Sequence, residues 1–191
     1  MPADKRQRIL DAAIGLFGDQ GFDNTPTSAI SAAAGIGTGT LFKYFADKDA
    51  LIREAYVAAK SGMIAAIKEG LNPMEDFPVL FKHVWDRAID WSLRHPQKHM
   101  FMAQFKNSRF RHYHNEALEQ EFLFFYVALK GAQETGRVAD LPVELLDMNF
   151  TGFFNMAVEY ISNQSVNPEK ARNLIFSMLM KSIGPDQHQE S

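Results

Sequence analysis

Apolar residues recur along this chain at intervals of three and four positions, the spacing that lines one face of an α-helix. Near the start, Ile9, Ala13, Leu16 and Phe17 follow it and predict a helix over residues 5–20. The same spacing predicts further helices over 27–34, 38–45, 48–70, 77–94, 97–107, 115–135, 142–163 and 168–183. No convincing strand pattern interrupts the series. The chain is therefore predicted to be all-α.

Several predicted helix ends carry recognisable stop and start signals. Gly21 and Gly35 are placed to end the first two helices, because glycine readily adopts the left-handed conformation found there. Thr25 followed by Pro26 predicts an N-cap and the first residue of the second helix. Asp47 predicts the N-cap of the long helix that begins at residue 48.

The stretch GIGTGTLFKYF, residues 35–45, is the most unusual in the chain and could be a phosphate-binding loop. A dinucleotide-binding fingerprint needs a third glycine where this chain has Thr40, and a buried strand before the first. A Walker loop needs a lysine and a spacing that are both absent. Nucleotide binding is thus disfavoured here.

A helix-turn-helix fits the same stretch better, because Gly35 lies where two short helices must be joined by a tight turn. Five residues would form the apolar wedge between these helices: Ile30, Ala34, Ile36, Leu41 and Phe45. The second helix would present short hydrogen-bonding groups, a cation and a phenol, which suit base edges and phosphates. These residues are Thr38, Gly39, Thr40, Lys43 and Tyr44.

Composition excludes several classes of function. The 191 residues include no cysteine, so disulfides, thiolate zinc sites and cysteine nucleophiles are ruled out. The start has no apolar signal segment, and the longest apolar run, 122–129, is too short to span a bilayer. The histidines do not have the spacing of a metal site, and no nucleophile–base pair stands out. We therefore expect a cytoplasmic protein without membrane partner, cofactor, metal or enzymatic activity.

The run ILDAAIGLFGDQGFDNTPTSAISAAAGIGTGTLFKYFADKDALI, about the first quarter of the chain, resembles the DNA-binding region of tetracycline-repressor (TetR) family regulators. The positions that carry the resemblance are Ala12, Ala13, Leu16, Phe17, Gly21, Phe22, Thr25, Ile30, Ala34, Gly35, Gly39, Thr40, Leu41, Tyr44, Phe45, Lys48 and Leu51. The departures are Gly37 for a frequent serine, Phe42 for a frequent tyrosine, and Thr38 for a frequent lysine or arginine.

The resemblance implies roles for individual residues. Thr38 and Thr40 would read base edges, and Lys43 and Tyr44 would contact bases or backbone, while Gly39 would let the helix approach its target. Thr25 and Lys48, at the starts of the second and fourth helices, would hold phosphates with the help of the helix dipoles. The cations Lys5, Arg6 and Arg8 could follow the backbone of the DNA.

The resemblance also implies an organisation for the whole chain. A three-helix DNA-binding domain, residues 1–47, would be joined to a larger helical ligand-binding and dimerisation domain, residues 48–191. The last two helices would pair with those of a second copy. The apolar residues that would form this dimer interface are Val143, Leu146, Phe150, Ala157, Ile161, Ala171, Leu174, Ile175, Met178 and Leu179. Packing of the two helices within one chain would produce the same apolar pattern.

The net charge of the chain does not by itself indicate DNA binding. Through residue 48 there are five cations and five acids, and the whole chain carries a formal net charge of -3. Affinity from phosphate neutralisation should therefore be modest for one protomer. We expect the protein to bind a palindromic double-stranded DNA operator as a homodimer. Binding two half-sites at once would compensate for the modest affinity of each protomer.

The larger domain is rich in side chains that suit an apolar or amphipathic small ligand, with 16 phenylalanines and 9 methionines in the chain. The helix over 115–135 is apolar almost all round and is predicted to be buried on both sides. A pocket would be lined by Trp85, Phe105, Phe122, Tyr126, Phe150, Phe154 and Asn155. A packed core would show a similar pattern. The functional alternative to a ligand-released repressor is a helical carrier of hydrophobic ligands without DNA function.

Overall fold

The computed structural model of the chain describes residues 2–163 and 166–185, which form helices and no strands. The all-α prediction is confirmed. The helices are α1 (Pro2–Gln20), α2 (Thr27–Ala33), α3 (Thr38–Tyr44), α4 (Lys48–Lys68), α5 (Phe77–Arg94), α6 (Pro96–Lys106), α7 (Glu116–Glu134), α8 (Val143–Asn163) and α9 (Pro168–Ile183). Within the described ranges, none of them is long and apolar enough to cross a membrane.

Contacts divide the chain into two compact units. The first unit consists of residues 1–64 and 94–119, and the second of residues 65–93 and 120–191. The first unit therefore contains the expected DNA-binding segment together with α6 and the loop that follows it. The functional boundary at residue 47 stays a prediction.

Four of the five residues of the predicted apolar wedge are buried in the structure, and the fifth, Ile36, is half-buried. The side chains of Ile30, Leu41 and Phe45 are almost completely buried, as is that of Ala34. Gly35 has a φ of +67°, which only glycine adopts without strain, and the next amide, that of Ile36, donates to the Ser31 carbonyl at 2.9 Å. The glycine thus turns the chain out of α2 and sets the direction in which α3 begins.

Helix α6 packs directly on α1 in the first unit. The two backbones approach so closely at Gly18 that a Cβ there would lie 2.7 Å from the carbonyl oxygen of Gln97. Side-chain amides also join the helices, because Gln104 donates to the Gly18 carbonyl at 2.9 Å and Gln97 donates to the Asp19 carboxylate at 3.1 Å. This close contact fixes α6 against the DNA-binding segment's first helix.

The predicted N-cap at Thr25 is wrong. Helix α2 begins at Thr27, its N-cap position is Pro26, and no side chain caps it. The Thr25 hydroxyl instead donates to the Gly21 carbonyl at 2.7 Å, and its side chain is fully buried. The hydroxyl is held by the end of α1 and so cannot serve the start of α2. By contrast, the Asp47 cap is confirmed, because its carboxylate accepts from the Ala50 amide at 2.6 Å.

Aromatic rings from four helices form the core of the second unit. Trp85 is fully buried, and its indole N–H donates to the Arg172 carbonyl at 3.2 Å, which joins α5 to α9. The ring centroids of neighbouring members lie 5.2–6.1 Å apart. We call this group the aromatic cluster: Phe77, Phe81, Trp85, Phe125, Phe150, Phe154 and Phe176.

Helix α7 is not buried on both sides, so that prediction is wrong. Leu123, Tyr126 and Val127 are 50%, 39% and 64% exposed, respectively. Phe125 lies on the opposite side, where its ring packs on Phe81 at a centroid distance of 5.4 Å. The apolar residues around α7 therefore divide into a packed face and an open face within this chain.

Helices α8 and α9 pack against each other and use most of the apolar face that the sequence assigned to a dimer. The buried members are Leu146, Ala157, Ile161, Ala171, Ile175 and Leu179. That part of the assignment is wrong, because intramolecular packing already covers these side chains. A second set on the same two helices is exposed, and we call it the outer stripe: Leu145, Met148, Met156, Tyr160, Leu174 and Met178.

Candidate nucleic-acid interface

Helix α3 carries five of the predicted DNA-contacting residues on a single short element. Its buried residue, Leu41, anchors it, and its backbone begins where the Gly37 carbonyl accepts from the Thr40 amide at 2.8 Å. Away from that anchor, Thr38, Gly39 and Lys43 are exposed, whereas Thr40 and Tyr44 are half-buried. The arrangement presents small polar groups and one cation to solvent from a helix held in place by its apolar side.

Gly39 has no steric reason to be glycine in the free protein. A Cβ at this position would meet nothing within 4 Å, and the φ angle is not in the left-handed region. Any requirement for the missing side chain must therefore come from something that approaches α3 from outside.

The structure separates the two residues that were expected to hold phosphates. Lys48 begins α4 close to α3, is half-buried, and places its ammonium 6.0 Å from the ring centroid of Phe17. Thr25 is not brought to the surface with the others, since its side chain is fully buried. Its buried hydroxyl lends no support to a phosphate contact, and its observed role is to join the end of α1 to the approach to α2.

The cationic side chains of α1 differ in the contacts that they make with other residues of the protein. Arg6 forms an ion pair with Glu54 of α4, and its guanidinium lies 5.5 Å from the ring centroid of Phe45. Arg8 lies 3.9 Å from the Asp4 carboxylate, a partly exposed pair. Arg6 therefore joins α1 to the residue after α3 and to the second turn of α4, whereas Lys5 remains exposed.

Phe42 is a candidate contact residue that sequence reasoning missed. Its side chain is 46% exposed on α3, although it stands within an apolar run where burial is the simplest expectation. Its neighbours in sequence, Leu41 and Phe45, take the buried side of the turn. The helical spacing of those two residues was the signal that could have placed Phe42 outside. An exposed ring can make an apolar contact with a thymine methyl group.

The residues predicted to line a ligand pocket do not all lie in one unit. Phe105 belongs to the core of the first unit, where it stacks on Tyr56 with centroids 3.9 Å apart. The other six belong to the second unit. Trp85, Phe150 and Phe154 are members of the aromatic cluster, Phe122 stacks on Phe124, Tyr126 is exposed, and Asn155 is half-buried.

A polar cleft of about 550 Å³ lies in the second unit between α5 and the start of α9. Its lining residues are Lys82, Asp86, Asn167, Pro168, Glu169, Arg172 and Asn173. The Lys82 ammonium pairs with Asp86 at 2.5 Å and lies 5.6 Å from the ring centroid of Phe176. The cleft therefore borders the aromatic cluster. Sequence reasoning missed it because its two sides are about eighty positions apart in the chain.

The histidines His95 and His99 are placed by the start of α6. His95 occupies the N-cap position outside the helix, and its carbonyl accepts from the His99 amide at 3.0 Å. Burial lowers the pKa of His99, which favours the neutral ring. In the part of the chain that the structure describes, no group of three or more histidines and acids is arranged to hold a metal ion.

Known proteins with similar sequences are bacterial transcriptional regulators. Residues 9–55 match the family model of bacterial regulatory proteins of the tetR family. The HTH-type transcriptional regulator SAR2658 of Staphylococcus aureus is 24% identical over 185 residues, which cover 94% of this chain and 95% of that protein. The HTH-type transcriptional repressor Rv1474c of Mycobacterium tuberculosis is 32% identical over 84 residues, which cover 39% of this chain and 45% of that protein.

Solved structures share the complete fold. A tetR family transcription regulator from Shewanella sp. PV-4 has a TM-score of 0.82 at 26% identity, covering 95% of this chain and 99% of that one. A TetR family transcription regulator from Marinobacter aquaeolei VT8 has a TM-score of 0.80 at 19% identity, covering 97% and 98%. A carrier without DNA function does not fit these matches. Residues 9–55 thus match the DNA-binding region of the tetR family of bacterial regulatory proteins, and the chain has a TetR-like fold with an N-terminal helix-turn-helix domain and a larger helical C-terminal domain.

Proposed function

We propose that this protein is a homodimeric repressor that leaves a palindromic operator when an apolar or amphipathic small molecule binds. Each protomer places α3 in the major groove of one half-site. Ligand binding favours a conformer in which the two recognition helices no longer match the half-site spacing. The affinity for DNA then falls by the ratio of the ligand's affinities for the two conformers.

The observation that carries the DNA part is the exposed side of α3. Thr38 and Thr40 offer hydroxyls of the kind that hydrogen-bond to base edges, and Lys43 offers an exposed cation for a base or a phosphate. Because Leu41 is buried, the helix is held rigidly enough to present these groups together. Lys48 lies at the start of α4, where the helix dipole favours an anion such as a phosphate.

The dimer part is supported by the outer stripe. Met148 is 71% exposed and Leu174 is 63% exposed, on two helices that already pack on each other. Large apolar side chains left exposed on neighbouring helices mark an interaction surface. Gly152 lies within the stripe, and a Cβ there would meet nothing within 4 Å, which leaves room for a partner helix. A second copy would bury the stripes of both chains.

The ligand part is supported by the second unit. The polar cleft supplies charged groups for the polar end of a ligand, and the aromatic cluster beside it, which Lys82 contacts through the Phe176 ring, supplies apolar side chains. Repression, as opposed to activation, is supported by the match to a relative from M. tuberculosis described as a repressor, over 39% of this chain.

Footprinting of the purified protein on fragments of its source genome tests this function. We expect protection of a two-fold symmetric site with half-sites about one helical turn apart, at moderate salt. An aromatic and fatty-acyl compound set is then screened by thermal melting. A compound that stabilises the protein should also release the fragment. The absence of any specifically protected fragment would overturn the DNA part, and stabilising compounds that leave the footprint intact would overturn the ligand part.

Gly39→Ala should separate affinity for DNA from stability. Because a Cβ meets nothing in the free protein and alanine favours helices, the melting temperature should stay the same or rise slightly. Affinity for the operator should fall about tenfold, the cost of roughly 1.4 kcal/mol for a methyl group at a tight interface. Fluorescence anisotropy on the protected fragment measures this change.

Gly131→Ala is the matched control, since a Cβ at this α7 position also meets nothing within 4 Å. It should leave affinity for the operator unchanged. Equal affinities of wild type and Gly39→Ala would show that α3 does not approach DNA closely at this residue.

A further inference from the structure

The loop between α6 and α7 is strongly basic. We call residues 107–115, with the sequence NSRFRHYHN, the basic loop; it holds Arg109, Arg111, His112 and His114 and no acid. Over 94–119 there are five lysines and arginines against two glutamates. In contrast, residues 1–48 carry five cations and five acids, and residues 49–64 carry two of each. The cationic excess of the first unit therefore comes entirely from this late segment.

The basic loop is fastened to the first unit by its aromatic residues. Phe110 is 7% exposed, and its ring contacts those of Phe22 and Phe105 at centroid distances of 6.0 and 5.4 Å. Tyr113 contacts the ring of Tyr56 at 6.5 Å. These contacts hold the backbone of the loop against α4, α6 and the segment that follows α1.

The arginines and histidines of the basic loop lie on its opposite, open side. The side chains of Arg109 and His114 are 62% and 85% exposed, and Arg111 and His112 are exposed as well. The Arg111 guanidinium donates to the His112 ring at 3.0 Å, so these two side chains lie together. Phe110 and Tyr113 thus face the protein while the arginines reach solvent, which is the arrangement of a binding surface rather than of a core.

The loop reaches the start of α4, which is oriented towards DNA in the proposed function, and the segment that leads into α2. Arg109 pairs with Asp49 at 2.5 Å, and Asp49 follows Lys48 in the first turn of α4. Phe22, on which Phe110 packs, precedes α2 by five residues. The basic loop is therefore placed beside the helix-turn-helix, although about sixty positions separate them in sequence.

We propose that the basic loop is a second DNA-contacting element, which binds backbone phosphates next to the half-site without reading its sequence. This inference rests on the proposed function. Guanidinium groups bind phosphates with paired, charge-assisted hydrogen bonds, and each neutralised phosphate releases counterions. The loop supplies the positive charge that the helix-turn-helix lacks. In a dimer there are two such loops, one for each half-site.

The salt dependence of DNA binding tests this proposal. We expect Arg111→Gln to reduce the slope of log K against log salt by about one per protomer, and thus about two per dimer. Arg109→Gln combined with Arg111→Gln should reduce it further, by less than one more unit per protomer, because Arg109 already pairs with Asp49. Affinity should fall about equally for the operator and for an unrelated duplex, because the lost contacts carry no sequence information.

Three further variants make the result decisive. Arg111→Lys keeps the charge and should restore most of the slope, whereas Lys130→Gln removes an exposed cation from α7 in the second unit and should leave it unchanged. An unaltered slope in the arginine-to-glutamine variants, with intact thermal melts, would overturn the role of the loop. The proposed function fails separately, if wild type does not prefer the operator to the unrelated duplex or if Thr40→Ala binds as wild type does.

Discussion

Met148→Glu should convert the dimer into monomers and lower operator affinity by about a hundredfold or more. Met148 is the most exposed apolar residue of the outer stripe, at 71%. In the proposed dimer it is covered by the partner, so the substitution would require a carboxylate to be buried without a partner charge. Burying such a carboxylate costs several kcal/mol. The dimer would pay this cost twice, because a two-fold symmetric interface contains the substituted residue of both protomers.

The size of the expected effect follows from the loss of linkage between two half-sites. A dimer binds the second half-site at an effective concentration set by the first, which raises overall affinity by about 10²–10⁴ over one protomer. A monomer retains only the affinity of one helix-turn-helix, whose own charge balance through residue 48 is zero. Loss of dimerisation should therefore abolish the footprint at protein concentrations where wild type is saturated.

Sedimentation velocity measures the oligomeric state, and anisotropy on the operator measures the affinity. Met74→Glu is the matched control, because Met74 is 88% exposed in the turn between α4 and α5, outside the outer stripe. It should leave both quantities unchanged. If Met148→Glu remained a dimer with full affinity, the outer stripe would not be the dimer interface.

Thr40→Ala combined with Lys43→Ala should lower affinity for the operator by about a hundredfold while leaving the fold intact. The loss of a base-reading contact costs about 1–3 kcal/mol, and the loss of a phosphate contact adds to it. Both side chains lie on α3 away from buried Leu41, with Lys43 exposed and Thr40 half-buried, so neither contributes to the core. Thermal melting should confirm nearly unchanged stability.

The single variants divide the effect into its two parts. Thr40→Ala should reduce the preference for the operator over an unrelated duplex, whereas Lys43→Ala should weaken binding to both if it contacts phosphate. Lys130→Ala on α7 is the control for removal of an exposed lysine. Wild-type discrimination in the double variant would mean that α3 is not the recognition helix.

Much of the helical architecture could be predicted from local signals. Apart from α1, which begins at Pro2 and not at residue 5, the predicted starts and ends agree with the structure to within about two residues, as at α9 (Pro168–Ile183). Those signals act between residues within a turn or two of each other, as when Gly35 adopts a φ of +67° or Asp47 caps α4. The failure at Thr25 has a physical cause of the same kind, because the Gly21 carbonyl at the end of α1 takes its hydroxyl.

The candidate site was only partly accessible to the same reasoning. The helical spacing and the family pattern indicated α3. The spacing of Leu41 and Phe45 also indicates an outward position for Phe42, but the apolar run around it favoured burial, and the structure leaves it 46% exposed. The aromatic composition predicted a ring-lined interior without showing that Phe105 serves the first unit and Trp85 the second. Which partner a buried ring meets depends on residues far away in the chain, and periodicity carries no information about them.

By itself, the sequence determined that this chain is helical, where its helices turn, and which short helix presents polar groups beside a glycine turn. These properties depend on contacts within a few residues, so the order of side chains is sufficient. Only the tertiary structure decided which apolar face of α8 and α9 is used internally and which remains as the outer stripe. It also decided that a basic loop from the middle of the chain lies against the helix-turn-helix, because Phe110 packs on Phe22 and Arg109 pairs with Asp49. Such placements depend on burial between distant segments, which is settled only when the whole chain packs.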